Sequence, residues 1–418
     1  MAGPYYVDLS NPGAWNGNTG LDHVGEQWLG LSGYQYARDT ITVGNGPVYV
    51  KGSAAGNTLK TLVCDNQSGN FVRGEEVTWD SESSTGVVSE IIANLPTVIE
   101  VISGTLADDD NLTGTTSGAT ADVAGAPATK GNAIDSDTNA GGSSIGFIKF
   151  IAMNASWAVD GSYASIDATG NTNGLACEVG FIWDEYFEYS GADNDGINQD
   201  SSGADNFVLK GNYIHNNGQY GCHNNNAATN GIYFRNRITN NTAHGMFECG
   251  FCHIVGNAIY GNGGNGIESG SSDYSNASKN VIFDNGDGSE NFDFDKNWFI
   301  MNNVIDGTGQ LTATGLHSSG SGQSIIIENR ITNCATEGLD NNNDVNVYGL
   351  NVFHNNGLDV ANTLVSETID IDSTTDSNRY DVDADDGYNN TGNMDYNLKA
   401  DRTYNQDGND AIGLGIGS

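Results

Sequence analysis

Basic residues are scarce in this chain of 418 residues. Lys and Arg together number 15 against 53 Asp and Glu, a net charge of −38. So few cations cannot line a phosphate backbone, and nucleic acid is not an expected partner. Proline is scarcer still, 5 residues against 57 glycines, which argues against collagen and against a proline-rich linker. The 6 cysteines, at 64, 177, 222, 249, 252 and 334, are too few for a disulfide framework in a chain of this length. No apolar run is long enough to span a bilayer, so membrane insertion is not expected. The opening MAGPYYVDLSNPGAW has neither a basic n-region nor an apolar h-region, so no secretory signal is expected. Helix formers are few and turn residues many, which points to short strands joined by tight turns.

What is present is a repeated phrase. An Asn followed two residues later by an apolar residue recurs at Asn212, Asn236, Asn257, Asn280, Asn303, Asn329 and Asn351, at spacings of 24, 21, 23, 23, 26 and 22. A period in the low twenties marks a solenoid, in which each repeat is one turn stacked on the last. The apolar column reads Ile214, Ile238, Ile259, Ile282, Ile305, Ile331 and Phe353, as expected of a continuous interior. Four residues before each Asn the column reads Val208, Ile232, His253, Asn276, Phe299, Ile325 and Val347. It is mostly apolar, and a second strand is expected to enter the core there. A second Asn follows at 217, 241, 262, 285 and 356. Stacked strands lie about 4.8 Å apart, so equivalent Asn side chains can bond from coil to coil at a corner whose left-handed dihedrals Asn tolerates. Gly with an apolar residue at 221–222, 245–246, 266–267, 315–316, 338–339 and 357–358 marks a third strand.

Three short strands per turn with Asn and Gly corners resemble the right-handed parallel β-helix, the scaffold of pectate-lyase-like enzymes and many viral tailspikes. The expected fold is all-β: a right-handed parallel β-helix solenoid with an N-terminal cap and a small β insertion. Residues 1–58 are expected to form a strand and helix cap, which covers apolar surface and strand edges at the open end. Residues 59–128 break the period. There FVRGEEVTWDSESSTGVV is echoed by TLADDDNLTGTTSGATADV, as in β modules of phage structural proteins, and a β insertion is expected. Residues 129–360 are the coils, and 361–418 a C-terminal β region.

Chemistry is sought on outward positions. On the third strand the outward column reads His223, Phe247 with Glu248 beside it, Glu268, His317, Asp340 and Asp359. Carboxylates one coil apart would lie about 5 Å from each other and two coils apart nearer 10 Å, spacings close to those of retaining and inverting glycoside hydrolysis. A solvated polar face is the plainer reading. A second glycan-binding candidate is FIWDEYFEYSGADNDGIN at 181–198, where Trp183 and Tyr186 alternate with Glu185 and Glu188. The Asp-Asp, Gly-His-Gly and Arg-Ile-Lys motifs of polygalacturonases are missing, so that activity is not carried over. CGFCH at 249–253 invites zinc, but residues three apart on a strand face opposite ways. DVDADDG at 381–387 resembles a calcium loop through Asp381, Asp383 and Asp385, with its Gly one place late and no closing Glu. No cofactor is required; calcium is the one candidate.

Many dispersed acids with few Lys resemble proteins of halophiles. With the phage-like insertion, the rod and the missing signal, they imply a virion surface protein: a tailspike, fibre or capsid turret. Its expected partners are other virion proteins, itself in a homo-oligomer (trimer or pentamer), and a host surface glycan, bound without turnover. The alternative is a secreted polysaccharide lyase or glycoside hydrolase, and an enzyme of either kind would be a polysaccharide depolymerase.

Overall fold

In the computed structural model, the residues described are 4–361, apart from 43–44, 55–57, 81–82, 138–145, 200–203, 225–228, 271–273, 287–289, 311–312, 321, 342–345 and 350, together with 379–381, 388–390 and 395–398. The chain is all-β, a parallel β-solenoid of about 13 turns with 4% helix. It divides into two compact units, 1–198 with 211–213, and 199–210 with 214–418.

The first unit holds the cap, the insertion and the early coils. Its first ladder pairs Tyr5–Asp8, Val48–Lys51, Ile148–Met153 and Ile182–Glu185 in parallel, with Trp28–Leu29 against Tyr5–Asp8. The helix Gly30–Thr40 follows at once. Leu31, Tyr34 and Ala37 recur at three-residue spacing and are buried, and Ser32, Gln35 and Arg38 are buried with them, so the helix is enclosed on most sides. Residues 58–129 form an antiparallel sheet of eight strands. The echoed pairs are neighbours in it: Thr78 registers with Thr113, and Val77 and Leu112 are both buried. Glu100, fully buried, accepts the helix N-terminal amides of Leu31 at 3.1 Å and Ser32 at 2.9 Å. A carboxylate at that end meets the orphan N–H groups and the positive end of the dipole, so the insertion docks on the cap.

Arg38 enters the interior from the same helix. It pairs with Asp184 at 2.6 Å, and Tyr189 donates to the same Asp184 oxygen at 3.1 Å. Its guanidinium lies 4.2 Å from the Phe150 ring centroid. A buried ion pair with several polar partners resists separation, since loss of one partner strands the other.

The second unit is built of regular coils. Its first ladder runs Val208–Lys210, Gly231–Phe234, Cys252–Val255, Asn276–Ser278, Phe299–Met301, Ile325–Ile327 and Val347–Gly349. The second runs Arg237–Thr239, Ala258–Tyr260, Val281–Phe283, Val304–Asp306, Arg330–Thr332 and Val352–His354. The third runs Cys222–His223, Met246–Phe247, Ile267–Glu268, Glu290–Phe294, Thr314–Ser318, Glu337–Asn341 and Leu358–Ala361. The isoleucine column from Ile214 to Phe353 is fully buried.

The first-ladder core lies one residue later than the sequence reading placed it. Tyr233, Ile254, Ala277, Ile300 and Ile326 are fully buried, whereas Ile232 is 37% and Ile325 40% exposed. The column with Ile232, His253 and Ile325 faces outward. Apolar residues occupy both faces of this ladder, so composition could not set the phase, and a shift of one residue reverses every side chain.

The Asn columns form the expected ladders. The backbone amide of Asn257 donates to Asn280 Oδ1 at 2.9 Å and its side-chain amide to the same oxygen at 3.0 Å. That pairing repeats from Asn236 through Asn351. A second ladder joins Asn217, Asn241, Asn262 and Asn285. Among the described residues the left-handed one stands just before the ladder Asn: Arg235, Gly256, Lys279, Asn302 and Glu328 precede the first set, with φ from 55° to 67°. That residue bends the chain, and the next Asn then points inward.

Candidate functional site

The third ladder of the second unit carries two outward columns flanking its buried row. Cys222, Met246, Ile267, Phe292, Leu316 and Leu339 form that row, all fully buried. One residue later stand His223, Phe247, Glu268, Asp293, His317 and Asp340, in register. Two residues earlier stand Tyr220, His244, Asn265, Glu290, Thr314 and Glu337. Most of these side chains are half-buried, held by neighbours above and below while one side stays open.

At one end the wall is aromatic. Tyr220 stacks on Phe247 with ring centroids 4.3 Å apart and planes 15° from parallel. His244 stacks on Phe247 at 5.3 Å and 13°. His223 Nε2 lies 3.5 Å from Glu248 Oε2. Glu248 follows Phe247 with φ of 54°, a turn that swings its carboxylate out beside the imidazole.

One coil on, His244, Asn265 and Glu268 form a closed set. The Asn265 backbone amide donates to His244 Nδ1 at 2.9 Å. That nitrogen is therefore an acceptor, and the imidazole proton sits on Nε2, 3.2 Å from Glu268 Oε2. The Asn265 side-chain amide donates to the same oxygen at 3.2 Å. Asn265 Oδ1 in turn accepts the backbone amide of Glu290 at 3.2 Å. Both contacts of the Glu268 carboxyl, the Asn265 amide and His244 Nε2, thus fall on Oε2. Burial pushes the Glu268 carboxyl above the ordinary glutamate value, aided by the charges of Asp293, Glu290 and Glu248. Burial pushes His244 the other way, below its ordinary value.

Asp293 registers one coil beyond Glu268. His317 stands one coil further, with Nδ1 3.2 Å from Asp293 Oδ1 and Nε2 3.7 Å from Asp340 Oδ2. The adjacent Asp293 carboxylate is the main cause raising the His317 pKa, with the charges of Glu290 and Asp340 adding to it against burial. Glu268 and Asp293 are therefore adjacent carboxyl groups with different partners, Glu268 beside the neutral His244 and Asp293 beside His317, whose pKa is raised. Such a pair can divide the roles of acid and base.

The chain is similar in structure to a pectate lyase, Pel9A, over 96% of this chain and 90% of that one, at 12% identity and a TM-score of 0.50. The likeness is one of fold. An alginate lyase from Paenibacillus sp. str. FPU-7 aligns over 60% of this chain and 87% of its own, at 14% identity and a TM-score of 0.38. The A-module of the Azotobacter vinelandii mannuronan C-5 epimerase AlgE6 aligns over 84% and 95%, at 16% identity and a TM-score of 0.40. No family model matches the chain, and no curated protein sequence matches it.

The structure thus brings His223, Glu248, Glu268, His317 and Asp340 onto one wall. Asp359 falls outside the column: Ala361 registers with Asp340, and Val360 with Leu339. The turn into this last strand is shorter, so Gly357-Leu358 is not the inward step, and Leu358 is 57% exposed. Sequence reading missed Asp293 because Asn291-Phe292 replaces the Gly-apolar phrase on that coil. It missed Tyr220, His244, Asn265 and Glu290 because they stand in the turn before the strand. Their constant position, two before the buried residue, was the available signal.

Trp183, Glu185, Tyr186 and Glu188 belong to the first unit and do not share a face. Trp183 and Glu185 lie on the first ladder, where the indole donates to Glu185 Oε2 at 3.0 Å and Lys149 Nζ sits 4.8 Å from the Trp183 ring. Tyr186 is the left-handed corner residue, with φ of 65° and its ring against Gly211. Glu188 is on the second ladder, between the buried Phe187 and Tyr189. Cys249 and Cys252 are buried thiols, while His253 faces out. Asp381 ends a strand in register with His354. Asp383 and Asp385 lie outside the described residues.

Proposed function

We propose that the third-ladder wall of the second unit acts on a polysaccharide, and that it hydrolyses glycosidic bonds with Glu268 as the acid and Asp293 as the partner carboxylate. The observation that carries this reading is two carboxyl groups in adjacent register, Glu268 raised by burial and neighbouring acids and Asp293 held beside His317. Neighbouring coils are about 4.8 Å apart, nearest to the roughly 5 Å separation of retaining enzymes. Glu268 Oε1 gives its proton to the glycosidic oxygen as the leaving sugar departs, and Asp293 bonds to the anomeric carbon. Water, deprotonated by the Glu268 carboxylate, then displaces Asp293 with release of the second sugar. The expectation of binding without turnover follows from two absences, of a carboxyl tuned upward and of a complete family motif. Glu268, raised above the ordinary value, supplies the first.

The test is to incubate the protein with a panel of polysaccharides and assay new reducing ends. Turnover by the wild type, lost in Glu268→Gln with glycan affinity kept, supports the reading. Affinity with no new ends on any substrate overturns the hydrolase and leaves glycan binding. Unsaturated uronate products would make the chain a lyase. A virion spike or turret contacting a host glycan is a further proposal about the setting of this wall, supported by composition alone.

A further inference from the structure

We infer that the glycan taken by this wall is free of acidic groups. The inference rests on the proposed glycan-acting role and adds its substrate class. Glu248, Glu268, Glu290, Asp293, Glu337 and Asp340 all stand on the wall, and its seven strands carry no Lys or Arg. The available cations are imidazoles, and each is already in contact with a carboxyl group. His223 faces Glu248 at 3.5 Å, His244 faces Glu268 at 3.2 Å, and His317 lies between Asp293 and Asp340 at 3.2 and 3.7 Å. His244 is held as a neutral acceptor by the Asn265 amide, so it cannot meet an anion with a second charge. A uronate carboxylate laid along the wall would stand about one coil from two or three like charges, with no opposite charge to receive it.

The other half of the inference is what the wall does offer. Tyr220, His244 and Phe247 form a parallel, half-buried aromatic group, and Phe247 stands one coil before Glu268 in the same column. An aromatic face receives the C–H face of an uncharged sugar ring and needs no counter-charge. The carboxyl groups around it accept hydrogen bonds from sugar hydroxyls, and hydrogen bonds to charged groups are the stronger kind. A neutral chain would therefore place one ring on Phe247 and the next linkage at Glu268.

The test is calorimetric titration of the full chain, at about 0.1 M and about 2 M NaCl, with neutral glucan, mannan and galactan oligosaccharides and with oligogalacturonate of matched length. At least one neutral oligosaccharide is expected to bind ten times or more tighter than oligogalacturonate at low salt, with the gap narrowing at high salt. The double variant E290Q/E337Q leaves Glu268 and Asp293 in place and should raise oligogalacturonate affinity relative to that of every neutral probe. Oligogalacturonate binding as tightly as every neutral probe, or a double variant that leaves its affinity unchanged, overturns the inference while the glycan-acting role stands. Binding of no probe by wild type with a normal unfolding transition removes that role and the inference together.

Discussion

At the scale of single residues the two histidines of the wall make opposite predictions. His317 gains carboxylate partners, so its folded pKa is raised above the ordinary 6.5. The stability from that pairing is complete below the unfolded value and is lost as pH rises through the folded one. His244 is buried against a backbone donor and should titrate below 6.5, holding its proton on Nε2. Nitrogen-resolved NMR of the imidazoles distinguishes the two directly. Exchanged titration orders would contradict the hydrogen-bond assignment. Glu268 has the same sign as His317. Its raised carboxyl disfavours the fold once ionised, so the cost grows as pH rises from the ordinary glutamate value through the folded one. Glu268→Gln should match wild type in acid and exceed it in unfolding midpoint near neutral pH. Hydrolysis by wild type should fall over that same rise in pH, as the acid loses its proton.

At the scale of the coil, the ladders and the buried columns set stability. Asn280 accepts two bonds from Asn257 and donates to Ile254 O and Asn303 Oδ1 at 2.9 Å each, all of them buried. Asn280→Ala leaves several of these groups without partners and should cost about 3 kcal/mol or more, read from the denaturant midpoint. A loss below about 1 kcal/mol would mean that water replaces the amide freely. The phase of the first ladder has its own test, with a buried position of the second ladder as reference. Ile259→Asp puts a carboxylate into that ladder's fully buried column and should prevent folding. Ile232→Asp, on the outward column at 37% exposure, should change stability by less than about 0.5 kcal/mol. Similar damage from both would return Ile232 to the core.

At the scale of the whole molecule, charge is the governing quantity. With a net charge of −38, mutual repulsion acts on every coil. Raising NaCl from about 0.1 M to about 2 M shortens the screening length to about 3 Å or less, and the unfolding temperature should rise markedly. A flat or falling response would count against a halophilic adaptation. Self-assembly is the other property of this scale. A three-fold or five-fold oligomer, measured by light scattering in high salt, is the outcome proposed for a spike or turret. A monomer under those conditions would remove the support for a self-assembling virion role. Calcium at Asp381 is tested by the same thermal assay, with and without chelator.

The repeat period, the isoleucine column and the two Asn ladders were all legible in the sequence. Each depends on a residue type that suits only one environment: Ile a dry stack, Asn a shared corner, Gly a tight turn. The tertiary structure decided the phase of the first ladder, because Ile232 and Tyr233 are both acceptable to a core and only the packed coil chooses between them. It also decided the chemistry of the wall. Glu268 owes its setting to His244 and Asn265, which reach it from the turns, and to Asp293 on the next coil. The distance from corner Asn to buried residue changes with turn length, 10 residues from Asn257 to Ile267 but 12 from Asn280 to Phe292. A one-dimensional repeat carries no measure of that change. Stacking does, since parallel hydrogen bonds bring each coil into register whatever the length of the turn before it.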